Sequence, residues 1–171
     1  NGTVITNSYD LLGRCVRRDI TPGAGVATTT TFETFAFDGL SRLVATTNDV
    51  SHSEFDYNSL GDCTGNHTDG WSVLSVHDSV GNRVSMTYPS GRIVTYAYDA
   101  LNQVTNVSST ASAMTPPTSV AQFAYAGPGR EAQISLANGT QTDITWNGMV
   151  SPPNAPGDFG RWQRTGIGHT L

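Results

Sequence analysis

Asp10, Asp38, Asp78 and Asp99 share one setting, with Asn58 in the equivalent place. Each follows Tyr, Phe or His, and each is followed three positions later by Gly or a small turn residue. Repeated carboxylates invite a calcium reading. A calcium loop needs about six to eight oxygen ligands held together, and each of these Asp residues stands alone in its segment. Asp opening a type I turn that closes on Gly has another task. Its carboxylate accepts backbone N–H groups of the turn, and Gly takes the left-handed conformation that follows. We therefore read the Asp set as turn chemistry.

Other polar residues are weighed in the same way. Arg14, Arg42 and Arg130 lie four residues after their Asp or its equivalent. They could meet anionic glycans; we read them as strand positions or as partners of an Asp in a neighbouring segment. Trp71, Trp146 and Trp162 could stack on sugar rings, against the competing reading of packing between segments. Trp71 and Trp162 are kept as candidate ligand-stacking residues. Cys63, His67 and His77 form the one loose metal-like group, and their spacing matches no zinc motif. Cys15 and Cys63 occupy equivalent positions two segments apart, roughly 20 Å by strand spacing, whereas a disulfide needs Cα atoms within about 7 Å. They are read as free thiols. Neither a Gly-x-Ser-x-Gly elbow nor a catalytic Cys/His signature is present. We expect no catalytic residue, no metal and no cofactor, and therefore no enzyme.

Composition sets the wider bounds. The chain has 171 residues, a net charge of −5, 13% charged and 37% hydrophobic residues. All nine basic residues are Arg, which excludes a P-loop lysine or a Schiff-base lysine. Scattered Arg on an acidic chain is a poor match for nucleic acid. No apolar run approaches the roughly 20 residues of a membrane helix. Alternation such as Ile93, Thr95, Ala97 against Val94, Tyr96, Tyr98 is the strand signal, and long helical periodicity is missing.

The elements that position these residues come from a repeat. Tyr9, Phe37, Tyr57, His77, Tyr98, Tyr125 and Trp146 are spaced 28, 20, 20, 21, 27 and 21 residues apart. Each opens the same pattern, and Gly13, Gly61, Gly81 and Gly129 fall in phase. A second turn is read at Asp69-Gly70, Ser90-Gly91 and Asn138-Gly139, pairs that hairpin turns prefer. The expected fold is all-β: a repetitive antiparallel strand array, spiral or solenoid-like, of about seven units of some 20 residues. The array is placed at 1–150, with insertion loops at about 20–31 and 108–119. Residues 151–171 break the period and are expected to form an irregular cap, a linker or a divergent repeat.

The segment Tyr88 to Thr105, YPSGRIVTYAYDALNQVT, resembles the YD repeat of the RHS family, as do Tyr9 to Arg14 and His77 to Arg83. His77 and Trp146 stand where the pattern has Tyr, and Ala126 where it has Asp. The family comprises RHS proteins, shell components of toxin complexes and the teneurin-like proteins. The resemblance implies a long β-sheet that builds a hollow shell, in secreted or cell-surface bacterial proteins. The leading expectation is a non-catalytic structural module forming shell, wall or stalk. Its partners would be neighbouring repeats of a longer chain or further copies of itself, with no nucleic acid and no membrane span. The alternatives are a carbohydrate- or cell-surface-binding adhesion module and a self-assembling filament or oligomer subunit. The structural residues of the repeat would be Tyr9, Asp10, Gly13, Phe37, Asp38, Tyr57, Asn58, Gly61, Asp78, Gly81, Tyr98, Asp99, Tyr125, Gly129 and Trp146.

Overall fold

A computed structural model of the chain describes residues 1–146 and 164–170. The described residues are strand, turn and loop, with no helix. None of them forms a helix long and apolar enough to cross a membrane. They divide into two compact units, Asn1–His77 and Asp78–Leu171.

The first unit holds β1 (Val4–Tyr9), β2 (Cys15–Thr21), β3 (Phe32–Phe37), β4 (Leu43–Asn48), β5 (His52–Tyr57), β6 (Cys63–Thr68) and β7 (Trp71–His77). The second holds β8 (Arg83–Thr87), β9 (Ile93–Tyr98), β10 (Val104–Thr110), β11 (Thr118–Tyr125), β12 (Glu131–Leu136), β13 (Gln141–Trp146) and β14 (Arg164–Thr170). Within each unit the strands lie side by side in chain order, every neighbouring pair antiparallel. The expected all-β repetitive strand array is therefore what the chain forms.

Period-two side-chain alternation gives each strand two different faces. On β5, Ser53, Phe55 and Tyr57 are half-buried while His52, Glu54 and Asp56 are exposed. On β11, Ser119, Ala121, Phe123 and Tyr125 are half-buried while Val120, Gln122 and Ala124 are exposed. Burial stops at this half-way state almost everywhere. Among the described residues the only buried apolar side chains are Val94 and Ile144, at 7% and 6% exposure. Transfer of apolar surface from water, usually the largest favourable contribution to folding a domain, is thus only partly realised. Cross-strand pairing and polar contacts between hairpins must carry a larger share.

Five of the aromatic-to-turn connections carry a register slip that was not foreseen. Tyr9 pairs with Cys15 but Ser8 with Arg17, so Val16 is an extra residue. Phe37 with Leu43, Tyr57 with Cys63, Tyr98 with Val104 and Tyr125 with Glu131 repeat the slip. The extra residues are Val44, Thr64, Thr105 and Ala132. Such a bulge bends the strand and increases its right-handed twist.

Candidate functional site

The recurring feature with the densest polar geometry is the corner after each aromatic. At the first corner, Gly13 N donates to Asp10 O at 3.0 Å and Asp10 N to Arg14 O at 3.0 Å. This is a type I turn followed by a left-handed residue, Gly13 at φ +78°. Asp10 Oδ1 accepts from Leu12 N at 2.9 Å and Arg14 N at 3.0 Å. Its Oδ2 accepts from Arg14 Nε at 2.6 Å. The Asp38 corner copies these contacts with Leu40 and Arg42 at 2.8, 2.9 and 2.6 Å. At the Asp99 corner the same three come from Leu101 and Gln103, at 2.8, 2.9 and 2.7 Å. At Asp78 they come from Val80 and Asn82. Asn58 takes the role with its polarity reversed, accepting from Leu60 N and Asp62 N and donating Nδ2 to Asp62 Oδ2 at 2.8 Å.

These bonds set the electrostatics. The Arg14 backbone amide is the largest influence holding the Asp10 carboxyl below its ordinary value, and Arg42 acts likewise on Asp38. For Asp78 the main cause is the Asn82 side-chain amide; for Asp99 it is the Gln103 backbone amide. Donors to a carboxylate favour its charged form.

Successive corners are also joined. Arg14 Nη1 reaches Asp38 O at 3.3 Å and Ser41 Oγ at 3.0 Å, and Arg42 Nη1 reaches Asn58 O at 3.1 Å. Asn82 Nδ2 donates to Asn102 Oδ1 at 2.9 Å, and Gln103 Oε1 accepts from Gly129 N. The side chain four residues after the Asp thus holds its own corner and the next one. This corrects the expectation that Arg pairs with the Asp of a neighbouring segment. Its carboxylate is in its own turn, and what it meets in the neighbour is a carbonyl or hydroxyl oxygen.

The aromatic completes the clasp. Arg14 lies over the Phe37 ring at 4.8 Å and Arg42 over the Tyr57 ring at 4.7 Å. Tyr57 Oη donates back to Leu43 O at 2.9 Å. Tyr98 Oη donates to Arg83 O at 2.8 Å and Tyr125 Oη to Val104 O at 2.8 Å. Trp146 Nε1 donates to Glu131 O at 2.7 Å. In every case the acceptor is the residue that begins the return strand of the preceding hairpin. Burial pushes the Tyr98 and Tyr125 phenols up.

The opposite edge has its own ties. Asp49 accepts from Thr31 Oγ1 at 2.6 Å and Phe32 N at 3.2 Å, and Asp69 from Ser51 Oγ and His52 N, both at 2.8 Å. Sequence reasoning did not single out Asp49, Asp62, Asn82 or Gln103. A signal existed for the last three: the residue four after the turn Asp always has a planar polar head, whether Arg, Asp, Asn or Gln.

The remaining candidates are placed as follows. Trp71 begins β7 and is 67% exposed. Trp162 lies outside the described residues. Tyr9 is 60% exposed on β1. Gly129 takes φ +66° in the corner after Tyr125. Cys15 and Cys63 are both free. No three metal-ligating side chains converge among the described residues. His67 bridges Ser72 Oγ at 2.7 Å and Asp56 Oδ2 at 2.9 Å, in the order of a hydrolase triad. The same hydroxyl–imidazole pairing recurs at Thr47–His52 and Thr142–His169, at 2.7 and 2.9 Å, which marks it as cross-strand pairing.

Fold and corner together define a β-hairpin repeat protein in which, within each unit, neighbouring hairpins are clasped at their turns. Residues 77–113 match the family model described as RHS Repeat, so the YD-repeat resemblance read from the Tyr-Asp corners holds over that segment. No curated protein matches it. Among solved structures it is similar to a chain in the crystal structure of TcdB2-TccC3, with a TM-score of 0.76 and 15% identity over 99% of this chain and 10% of that one. The TcdB2-TccC3-Cdc42 crystal structure gives 0.74 and 16%, covering 98% and 9%. A Tc holotoxin pore from Photorhabdus luminescens gives the same four values, 0.74, 16%, 98% and 9%. The chain spans about a tenth of the length of these proteins, and at such identity the likeness is one of fold.

Proposed function

We propose that the chain is a non-catalytic structural module, a stretch of RHS-repeat sheet that builds the wall of a larger shell in a secreted or cell-surface bacterial protein. The observation that supports this best is the clasp itself. Within each unit, corners are tied to the next through Arg14, Arg42, Asn82 and Gln103, and Tyr57, Tyr98, Tyr125 and Trp146 each bond the hairpin before them. Hairpins can therefore be added in series without a closed core. The nearly coreless burial fits a sheet whose stability is local and cumulative. The structural neighbours named above belong to toxin complexes, which supports a wall or shell role for this chain too. The residues carrying that role are the aromatics Tyr9, Phe37, Tyr57, Tyr98, Tyr125 and Trp146. With them act the turn residues Asp10, Gly13, Asp38, Asn58, Gly61, Asp78, Gly81, Asp99 and Gly129. Its partners would be further repeats of the same kind.

Cryo-electron microscopy of the polypeptide that carries this repeat tests the proposal. The expected map shows hairpins of the same pitch continuing the sheet into an enclosing wall. A map in which the β1 and β14 edges face solvent between unrelated compact domains would refute it.

A further inference from the structure

In the second unit a depression of about 450 Å³ lies beside the turn Tyr88–Arg92 and the end of β10. Ser90, Arg92, Ser109, Thr110, Ala111 and Val120 line it. The shell role uses none of these side chains.

Arg92 is its charged group. Its Nε donates to Ser109 Oγ at 2.8 Å, which ties the guanidinium across to β10. Arg14, Arg17, Arg18 and Arg42 of the first unit form ion pairs with Asp or Glu. Arg92 makes no such pair among the described residues, so its two terminal nitrogens remain available. The wall beside it is fixed. Thr110 is buried, and its Oγ1 lies 2.7 Å from both Ser112 O and Thr115 O, pinning the segment that leaves β10. Ser90 and Ser109 put hydroxyls on the rim, and Ala111 and Val120 supply an apolar wall.

Such a guanidinium edge matches a carboxylate, which it can bind through two parallel N–H···O bonds. Hydroxyls beside it suit a polar, hydroxylated ligand body, and a mostly apolar concavity with a few placed polar groups is the usual form of a small-molecule site. The geometry points to this depression as a binding site for a small hydroxy-carboxylate. Arg92 holds the carboxylate, and Ser90 and Ser109 contact the hydroxylated body. The site is independent of the wall role, since the corner residues take no part in it.

The test is an NMR titration of the full chain with sodium gluconate, with sorbitol as the neutral analogue and sodium sulfate as the bare anion, at matched ionic strength. Gluconate is expected to give saturable shifts of the Arg92, Ser109 and Thr110 amides, with a Kd on the order of 1 mM. Sorbitol is expected to give none, and sulfate clearly less. Arg92→Gln should weaken gluconate about tenfold. Ser109→Ala, which frees the guanidinium without removing it, should weaken it less. Arg83→Gln, away from the depression, should leave it unchanged. Sulfate or sorbitol matching gluconate overturns the assignment. So do non-saturating shifts, or equal losses at Arg83→Gln and Arg92→Gln.

Discussion

Removing single hydroxyl groups from the aromatic row measures what the clasp contributes. Tyr57→Phe deletes the 2.9 Å bond to Leu43 O, and Tyr125→Phe the 2.8 Å bond to Val104 O. Phe keeps the ring, so packing and volume stay, and each loss isolates one hydrogen bond. Replacing an intramolecular bond by water costs about 0.5–1.5 kcal/mol. Both hydroxyls are partly buried, so about 1 kcal/mol each is expected. The two bonds share no residue and fall in different units, so the double variant should lose about 2 kcal/mol. For a chain of this length that is roughly 4–8 °C in Tm. Tyr9→Phe is the internal control, because Tyr9 is exposed and its hydroxyl has no partner among the described residues. Phe37 is the converse case. Phe37→Tyr would place a hydroxyl at the first residue of the preceding return strand, Cys15, and should be neutral or stabilising by up to about 1 kcal/mol. Urea denaturation followed by far-UV circular dichroism and tyrosine fluorescence reads all four. The reasoning fails if Tyr57→Phe and Tyr125→Phe match Tyr9→Phe in midpoint and slope.

The other predictions concern the corner, the carboxylates and the thiols. Gly61 sits at φ +96° with open space where a Cβ would go, so Gly61→Ala introduces backbone strain alone and should cost about 1–2 kcal/mol in the same denaturation assay. Gly65 is a different case, since its Cβ would lie 2.7 Å from Asp56 Oδ2 and 2.8 Å from His67 Nε2. Gly65→Ala should break the His67–Asp56 contact, visible as a changed His67 imidazole spectrum, with little loss of stability because both side chains can swing away. Asp10, Asp38, Asp49, Asp69, Asp78 and Asp99 all have carboxyls held below their ordinary value in the folded state. A depressed folded pKa stabilises above the unfolded value and loses that contribution as pH falls through the folded one. Stability should therefore be flat near neutrality and decline below about pH 4; urea midpoints between pH 7 and 3 that do not fall would contradict this. Both cysteines are free, so thiol titration of the unreduced, unfolded chain should count two.

The repeat was legible because its turns are written in residue type. Gly13, Gly61 and Gly81 stand where the backbone goes left-handed, and Asp10, Asp38, Asp78 and Asp99 stand where carboxylates can accept turn amides. Strand alternation then placed the aromatics on one face. The register slip was not legible. The extra residues Val16, Val44, Thr64, Thr105 and Ala132 are ordinary strand formers, and a bulge changes pairing without requiring any particular side chain. The Tyr hydroxyl contacts were hidden for a related reason, since their acceptors are backbone carbonyls, which every residue supplies. The depth of burial is not legible from length. A chain of 171 residues can close a core, but hairpins laid side by side in chain order have no second layer within a unit to close it against.

The missing lysines, unexplained by composition, acquire a physical reason at several positions. Arg14 and Arg42 each do three things with one head group: Nε binds the Asp of their own turn, Nη1 reaches the next corner, and the planar cation covers the next aromatic ring. An ammonium is a point charge on a flexible stem and cannot divide itself among these directions. Arg17, Arg18 and Arg164 also lie over rings, those of Phe32, Phe35 and Trp146. Where the corner gives up the ring contact it turns to Asp62, Asn82 and Gln103, planar heads again, and not to Lys. The corner therefore selects hydrogen-bond geometry ahead of charge. That is consistent with a chain only 13% charged that still ties its hairpins through polar groups.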